Sequence, residues 1–467
     1  MDILLIAPAS GHWRRVARRP IVDGRTFRFS MLSLLSVAAA TPPGHRVRIL
    51  DEQVDAAPPD LSPDLVGITC MTAAAPRVYA IADRFRARGV PVVLGGMHPS
   101  FLPQEALRHA DAVVQGEAEG VWERVVADAA AGRLHGIYAA ERPVDLAQLR
   151  PLPRHLIERR WYARLHAIQA TRGCIHRCAF CSVSAFHGGV QRRRPIADVA
   201  AEAAALRGRY LLFVDDNLVA DPDYAGSLCD ALAPLGKRWM TQATLAVAED
   251  ERLVRRMAAG GCLGIFAGLE TFSSANLTGV EKTCNRVADY RERVRALHGH
   301  GIGVEAGIVL GFDGDDVSVF AETLERMDAL EIDMAQISIF TPLPGTPQYE
   351  RIKDRIFDPC WEHYDFHHAV FQPRRMTAAQ LQSGHDWATC EFYRPARIAR
   401  RLARVARWRH PGPALYLASA LNLAYLGRVR SWGIRGRDPA RAPAKDAEPC
   451  RAHPTMSGES RRTATAL

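Results

Sequence analysis

Hydrophobic positions along the chain fall into short uninterrupted runs separated by amphipathic stretches. In the first 140 or so residues, "ILLIAP" (3–8), "VRIL" (47–50), "LVGITC" (65–70), "VVLGG" (92–96) and "AVVQG" (112–116) are each of strand length and bounded by Gly, Pro or polar residues. Between them lie helix candidates such as 76–88, "PRVYAIADRFRAR", with Pro at the start and Gly89 just past the end, the asymmetry expected of a helix. Continuous apolar strands alternating with helices predict a parallel sheet covered on both faces. Ligands of such sheets bind beyond the carboxyl ends of the strands. That places Thr69, Cys70, Gly95 and Gly96 on the candidate rim.

A Pro- and Arg-rich connector follows, "ERPVDLAQLRPLPRHL" (141–156), and then a second alternating series begins. Its strand candidates are "HAIQATRG" (166–173), "YLLFVDD" (210–216), "RWMTQATL" (238–245), "LGIFAGLE" (263–270), "IGVEAGIVLG" (302–311) and "MAQISIF" (334–340). One intervening helix opens at Asp221-Pro222, an N-cap with proline in the first turn. Six strands with helices between them fit an open or partial (β/α) barrel, whose chemistry sits at the strand C-termini. Cys174, Asp215, Asp216, Gln242, Glu270 and Gly311 all fall at or near those ends. The expected organisation is an α/β domain over 1–140, a linker over 141–160, a barrel over 161–385 and a basic helical segment over 386–437. Beyond about Asp438 the Pro, Ala, Ser, Thr and Arg content predicts disorder.

Charge changes this picture in one place. The chain of 467 residues carries a net +9, yet from Phe392 onward there are 16 Lys+Arg against 4 Asp+Glu. The body is therefore nearly neutral, and the basicity is no argument for nucleic-acid binding. The segment "RPARIARRLARVARWR" (394–409) has seven arginines, with Ile398, Leu402 and Val405 on one helical stripe. The apolar "GPALYLASALNLAYLG" (412–427) after it is too short to span a bilayer. A basic amphipathic helix with an apolar neighbour suits either packing on the barrel or peripheral contact with an anionic membrane. The N-terminus lacks a signal-peptide pattern and the cysteines form no secreted framework, so a reducing cytoplasm is the expected compartment.

The candidate chemistry lies in "TRGCIHRCAFC" (171–181), where Cys174, Cys178 and Cys181 are spaced C-x3-C-x2-C. A structural zinc site wants four ligands, in two pairs or a Cys/His set. No second pair follows, because Cys229, Cys262 and Cys284 each stand alone. Three thiolates on a loop after a strand suit an iron–sulfur cluster that leaves one iron without a protein ligand.

With this motif the chain resembles the radical S-adenosylmethionine enzymes, whose hallmark is C-x3-C-x-Φ-C after the first strand of a partial (β/α)6 barrel, with Phe180 here at Φ. The resemblance implies a [4Fe–4S] cluster on the three cysteines, whose fourth iron is chelated by S-adenosylmethionine. Cleavage of that molecule would give methionine and a 5′-deoxyadenosyl radical. "FVDDN" (213–217) lies where the family contacts the cofactor's amino group, implying roles for Asp215 and Asp216. "GIVLGF" (307–312) resembles the fifth-strand G-x-I-x-G-x-x-E, with Asp313 and Asp315 near the place of the Glu. Phe180, Gln242, Glu270 and Gly311 are further candidate contacts.

The first α/β unit resembles the cobalamin-binding domain of one large subclass, through "GGMHPSFLPQEALRHADAVVQGEAE" (95–119), and "PLPGTPQYE" (342–350) agrees. This implies cobalamin contacts from Thr69, Gly95, Gly96, Met97 and His98. The D-x-H-x-x-G motif that puts a histidine on cobalt is missing, and His12, His45 and His98 lack its context. A base-off corrinoid with no histidine ligand is therefore expected.

The implied function is a methyltransferase acting on an unactivated carbon or phosphorus of a small-molecule or lipid-like substrate. A cyclase, oxidase or rearrangement enzyme of the same subclass is the alternative. An electron donor such as a ferredoxin or flavodoxin is the implied partner. Methylthiotransferases need a second cysteine trio in the first domain, which has only Cys70.

Overall fold

The computed structural model describes residues 1–9, 31–54, 61–157, 162, 165–408 and 411–431. The expected tail over 438–467 and His12 lie outside these residues. The first six strands are β1 (Asp2–Ala7), β2 (Arg46–Asp51), β3 (Leu65–Thr69), β4 (Val92–Gly95), β5 (Ala112–Gln115) and β6 (Gly136–Ala139). They form one parallel sheet in the order β2-β1-β3-β4-β5-β6. Both faces are covered, as runs without polar alternation require. Leu4, Ile6, Val66 and Leu94 pack with Val78, Ile81 and Ala82 of the helix Ala75–Arg86. Ile3, Leu5, Val93 and Val114 pack on the other face with Val125 and Val126 of the helix Trp122–Ala130. Strand β6 escaped the sequence reading. It lies at the sheet edge, and in its "GIYA" only Tyr138 is buried, so it has no apolar run to betray it.

The second sheet contains β7 (His166–Ile168), β10 (Tyr210–Phe213), β11 (Arg238–Gln242), β12 (Cys262–Glu270), β13 (Gly303–Leu310) and β14 (Met334–Ile339). Between β7 and β10 lies a small antiparallel pair, β8 (Thr171–Arg172) and β9 (Arg192–Arg193). The large sheet is parallel throughout, in the order β14-β13-β12-β11-β10-β7. Strands β7 and β14 do not pair, so the barrel is partial. The helix over Pro222–Leu232 opens as its sequence requires: the Asp221 carboxylate accepts the Tyr224 amide at 2.9 Å.

The C-terminal helices belong to this barrel. In the helix Pro395–Val405, Ile398 and Val405 are buried, and the Arg401 guanidinium stacks 4.1 Å above the Phe392 ring. Leu417, Leu421, Tyr425 and Val429 recur every four residues along the helix Gly412–Ser431 and are all buried. Leu417 and Leu421 join Met240 and Met334 in one apolar cluster, with Leu212 and Leu263 against it. The Tyr425 hydroxyl donates to Glu305 at 2.8 Å, and the Asn422 amide donates to the Asp333 carbonyl at 3.4 Å. This apolar helix covers the barrel. Among the described residues no helix is long and apolar enough to cross a membrane. Leu421→Ala is expected to lower unfolding free energy by about 2–5 kcal/mol, measured by urea denaturation of the purified protein.

Candidate functional site

Cys174, Cys178 and Cys181 lie on the loop between β8 and the helix Ser182–His187, with free thiols. The loop is tied at several points. Gly173 has φ +85°, and a Cβ there would collide with the Val190 carbonyl, so the residue before Cys174 has to be glycine. The Ala179 amide donates to the Val280 carbonyl at 3.0 Å, and the Gln348 amide donates to the Ala179 carbonyl at 3.0 Å. Ser184 donates to the His176 carbonyl at 2.6 Å. The stretch between Cys178 and Phe180 is therefore clamped from two sides.

The strand ends supply the rest of the frame. Asp215 is 0 % exposed. Its carboxylate accepts the Ala170 amide at 3.1 Å, the Thr171 hydroxyl at 2.7 Å and the Thr171 amide. Burial pushes Asp215 up to about 7, against these donors. Asp215 thus fixes the entry to the cysteine loop and does not face open space. Asp216 accepts the Gly173 amide at 2.9 Å. Asn217, which the sequence reading had not singled out, bonds directly toward the site: its amide points at the Cys174 sulfur at 3.9 Å, and its oxygen accepts the Thr244 amide at 3.2 Å.

Glu270 ends β12 at φ +66° and pairs with Lys282 Nζ at 2.9 Å. Lys282 was also missed, since an isolated lysine carries no spacing signal. Burial raises the Cys178 thiol to about 12, and the Lys282 ammonium pulls it the other way. Gln242 ends β11 with an exposed side chain. Phe180 meets the Phe312 ring edge-on at 6.3 Å. Beside Phe312, the amides of Gly311 and Phe312 donate to the buried Asp315 carboxylate at 2.9 and 3.0 Å. Asp313 instead pairs with Arg355 at 2.7 Å and Arg374 at 2.9 Å on the surface.

A cavity of about 460 Å³ joins the two sheets. Thr69, Gly95, Gly96 and Met97 line it from the first sheet, and Arg172, His187 and Asp216 line it from the second. Gly67, Gly95, Gly96 and Gly116 give this wall little side-chain relief near the carboxyl ends of β3, β4 and β5. At Gly96 (φ +103°) a Cβ would lie 2.7 Å from the Cys70 carbonyl oxygen. His98 lies elsewhere. It is 0 % exposed, with Nε2 at 3.1 Å from the Tyr79 hydroxyl and 3.3 Å from Glu105.

One edge of the cavity is a four-residue ion network. Arg172 pairs with Glu117 at 2.9 Å and with Glu119 at 2.7 Å, while Arg192 pairs with Glu117 at 2.7 Å. Both acids come from the "GEAE" run of the first domain and both arginines flank the cysteine loop. Although burial acts to raise it, Glu117 is held down at about 2 by Arg192 and Arg172.

The donor sets can be tested against the groups they would take. Among the described residues, the cysteine trio does not bring its sulfurs within 4.8 Å of one another, as a single ion would require. Three separated thiols suit a cluster whose corners are different irons. The glycine-walled, partly apolar rim suits a broad planar ligand approaching the backbone. Fold and site together define a metalloenzyme built from two parallel α/β sheets that share one cavity.

The comparisons agree. Residues 19–126 match the model of the B12 binding domain, and residues 168–327 match that of the radical SAM superfamily. Bacteriochlorophyllide d C-12(1)-methyltransferase of Chlorobaculum tepidum is 31% identical over 79% of this chain and 84% of that protein. Bacteriochlorophyllide d C-8(2)-methyltransferase of the same organism is 28% identical over 74% of this chain and 81% of that protein. The fold is similar to that of the radical S-adenosylmethionine methyltransferase TsrM from Kitasatospora setae, with TM-score 0.61 and 20% identity over 76% of this chain and 78% of that one. The chain belongs to the radical S-adenosylmethionine enzymes that carry a B12-binding domain. Its cofactors are S-adenosylmethionine, a [4Fe–4S] cluster and cobalamin.

Two outcomes follow from this geometry. Gly173→Ala is expected to leave iron incorporation after anaerobic reconstitution well below half that of wild type, read by iron and sulfide quantification. The depressed Glu117 carboxyl stabilises the fold above its usual 4.5, and that contribution is lost as pH falls through about 2. Glu117→Gln should remove this component, so denaturation curves of the variant should lose less stability than wild type across that window.

Proposed function

We propose that the protein is a cobalamin-dependent methyltransferase acting on an unactivated carbon of a small-molecule or lipid-like substrate. The observation that carries this reading is the shared cavity. The glycine rim of the first sheet and the Arg172–Asp216 edge of the cysteine loop are walls of one space, so a methyl donor and a radical source would face the same substrate. When bound, the cluster and S-adenosylmethionine supply hydrogen abstraction and the corrinoid supplies a transferable methyl group.

The chain's own part is binding, orientation and exclusion of water. Cys174, Cys178 and Cys181 would hold the cluster, with Asn217 orienting Cys174 and Lys282 offsetting thiolate charge. Phe180 and Phe312 would shield it. Asp216, Gln242 and Glu270 are the polar groups at strand ends nearest the role of holding S-adenosylmethionine. Asp215 and Asp315 would act one step back, by fixing the backbone of the Thr171 and Gly311 turns. Thr69, Gly95, Gly96 and Met97 would carry the corrinoid. That His98 is spent on Tyr79, Glu105 and a Trp361 ring contact supports binding without a histidine on cobalt. A ferredoxin or flavodoxin would supply the electrons. For any contact with an anionic membrane, the helix Pro395–Val405 offers arginines, because Ile398 and Val405 are buried.

The test is anaerobic turnover with methyl-deuterated S-adenosylmethionine, a low-potential reductant, cobalamin and a panel that includes bacteriochlorophyllides and polycyclic lipids. A deuterated product with both S-adenosylhomocysteine and 5′-deoxyadenosine is expected. Substrate-dependent 5′-deoxyadenosine without S-adenosylhomocysteine would overturn methyl transfer in favour of cyclisation or rearrangement. Cys178→Ala should abolish 5′-deoxyadenosine formation.

A further inference from the structure

The segment after β14 contains a second cluster of metal-binding side chains, remote in sequence from the cysteine trio. Asp358, Cys360 and His363 each place a ligand atom within 4.8 Å of the other two, and they are the one such trio among the described residues. They sit in "DPCWEHYDFHH" (358–368). This stretch has only a single 3-10 turn, Trp361–His363, and is closed at its base by the Ile356–Phe371 bridge. A loop of this length with so little secondary structure needs another source of order.

The donor chemistry is specific. Asp358 is buried, and its backbone is fixed from both sides: its amide donates to the Val370 carbonyl at 3.3 Å, and its carbonyl accepts the Tyr364 hydroxyl at 3.0 Å. Its Oδ1 accepts the Cys360 amide at 2.8 Å, so the two residues are locked in one turn. Its Oδ2 lies 2.6 Å from His363 Nδ1, close enough to share a proton. The His368 ring stacks on His363 with centroids 4.7 Å apart, and His368 Nδ1 is 3.0 Å from the Asp365 carboxylate. That leaves His368 Nε2 as a fourth donor, held by the kind of carboxylate–imidazole contact that orients metal-bound histidines.

We propose that Asp358, Cys360, His363 and His368 form a structural site for a divalent zinc ion. One thiolate, two imidazoles and one carboxylate make a borderline-soft set of four, the number a closed zinc site takes. Binding displaces the proton shared by Asp358 and His363 and that of the Cys360 thiol, so both are released as the ion enters. The loop also spans the seam between the two domains. Trp361 Nε1 donates to Glu105 of the first domain at 3.0 Å and its ring meets His98 at 5.3 Å. An ion here would brace the surface on which the B12-binding domain rests.

The experiment uses the full chain, with its iron–sulfur cluster reconstituted, after growth in zinc-supplemented medium. About one zinc per chain is expected by mass spectrometry. The Cys174→Ala/Cys178→Ala/Cys181→Ala variant should keep it, and Cys360→Ala and His363→Ala should each lose it. X-ray absorption at the zinc edge of the wild-type protein should show one sulfur with nitrogen and oxygen neighbours, which needs no variant to fold. A wild type without zinc, a zinc shell of three sulfurs, or zinc that leaves with the cysteine trio and survives Cys360→Ala would each overturn the proposal. Methyl transfer and zinc content are separate readouts, so failure of one leaves the other standing.

Discussion

The arrangement of the site depends on a buried ion network. Taking two carboxylates and two guanidiniums out of water is costly unless each charge meets a partner in good geometry. Here Glu117 receives both Arg172 and Arg192, and Glu119 receives Arg172. Arg172 stands two residues before Cys174, so satisfying its charge also fixes where the cysteine loop begins. The first domain therefore supplies the acids that hold the second domain's metal loop in place. The cavity between them is a by-product of that pairing. A domain carrying only apolar contacts at this edge could slide, whereas a forked arginine on two carboxylates sets both distance and orientation.

Around this anchor the polar groups at the strand ends divide into two kinds. Asp215 and Asp315 are buried carboxylates spent on backbone amides. Asp216, Gln242 and Glu270 remain closer to open space. The first kind shapes the turns at Thr171 and Gly311, and the second kind is free to meet a ligand. From spacing alone the two are alike, because both are acids or amides at the C-terminus of a barrel strand.

Much of the fold was legible in the sequence. Continuous apolar runs in β1, β3, β4 and β5, and in the six large strands of the barrel, can be nothing but buried parallel strands once helical stretches separate them. The cysteine spacing and the glycines at 95–96 also carried their meaning openly. The unreadable parts share a physical cause: they depend on contacts between residues far apart in the chain. Lys282 reaches Glu270 only after α/β winding, and Arg172 finds Glu117 across 55 positions. His98 looked like a rim residue beside Gly96, yet the helical turn Met97–Phe101 rotates it inward toward Tyr79. The Arg-rich helix read equally well as a free or a packed element, and only the burial of Ile398 and Val405 separates the two.

The helix Gly412–Ser431 has a consequence for how the molecule is made. It completes the apolar cluster around Met240, Met334 and Leu263, and its Tyr425 and Asn422 meet the barrel strands and the turn into β14. All of those partners are synthesised first. A growing chain therefore presents a finished B12-binding sheet while the barrel still lacks its last layer. Until the final described helix emerges, Met240 and Met334 remain uncovered. Late arrival of this one segment makes the radical domain the last part of the nascent protein to consolidate, and the part most in need of protection during synthesis.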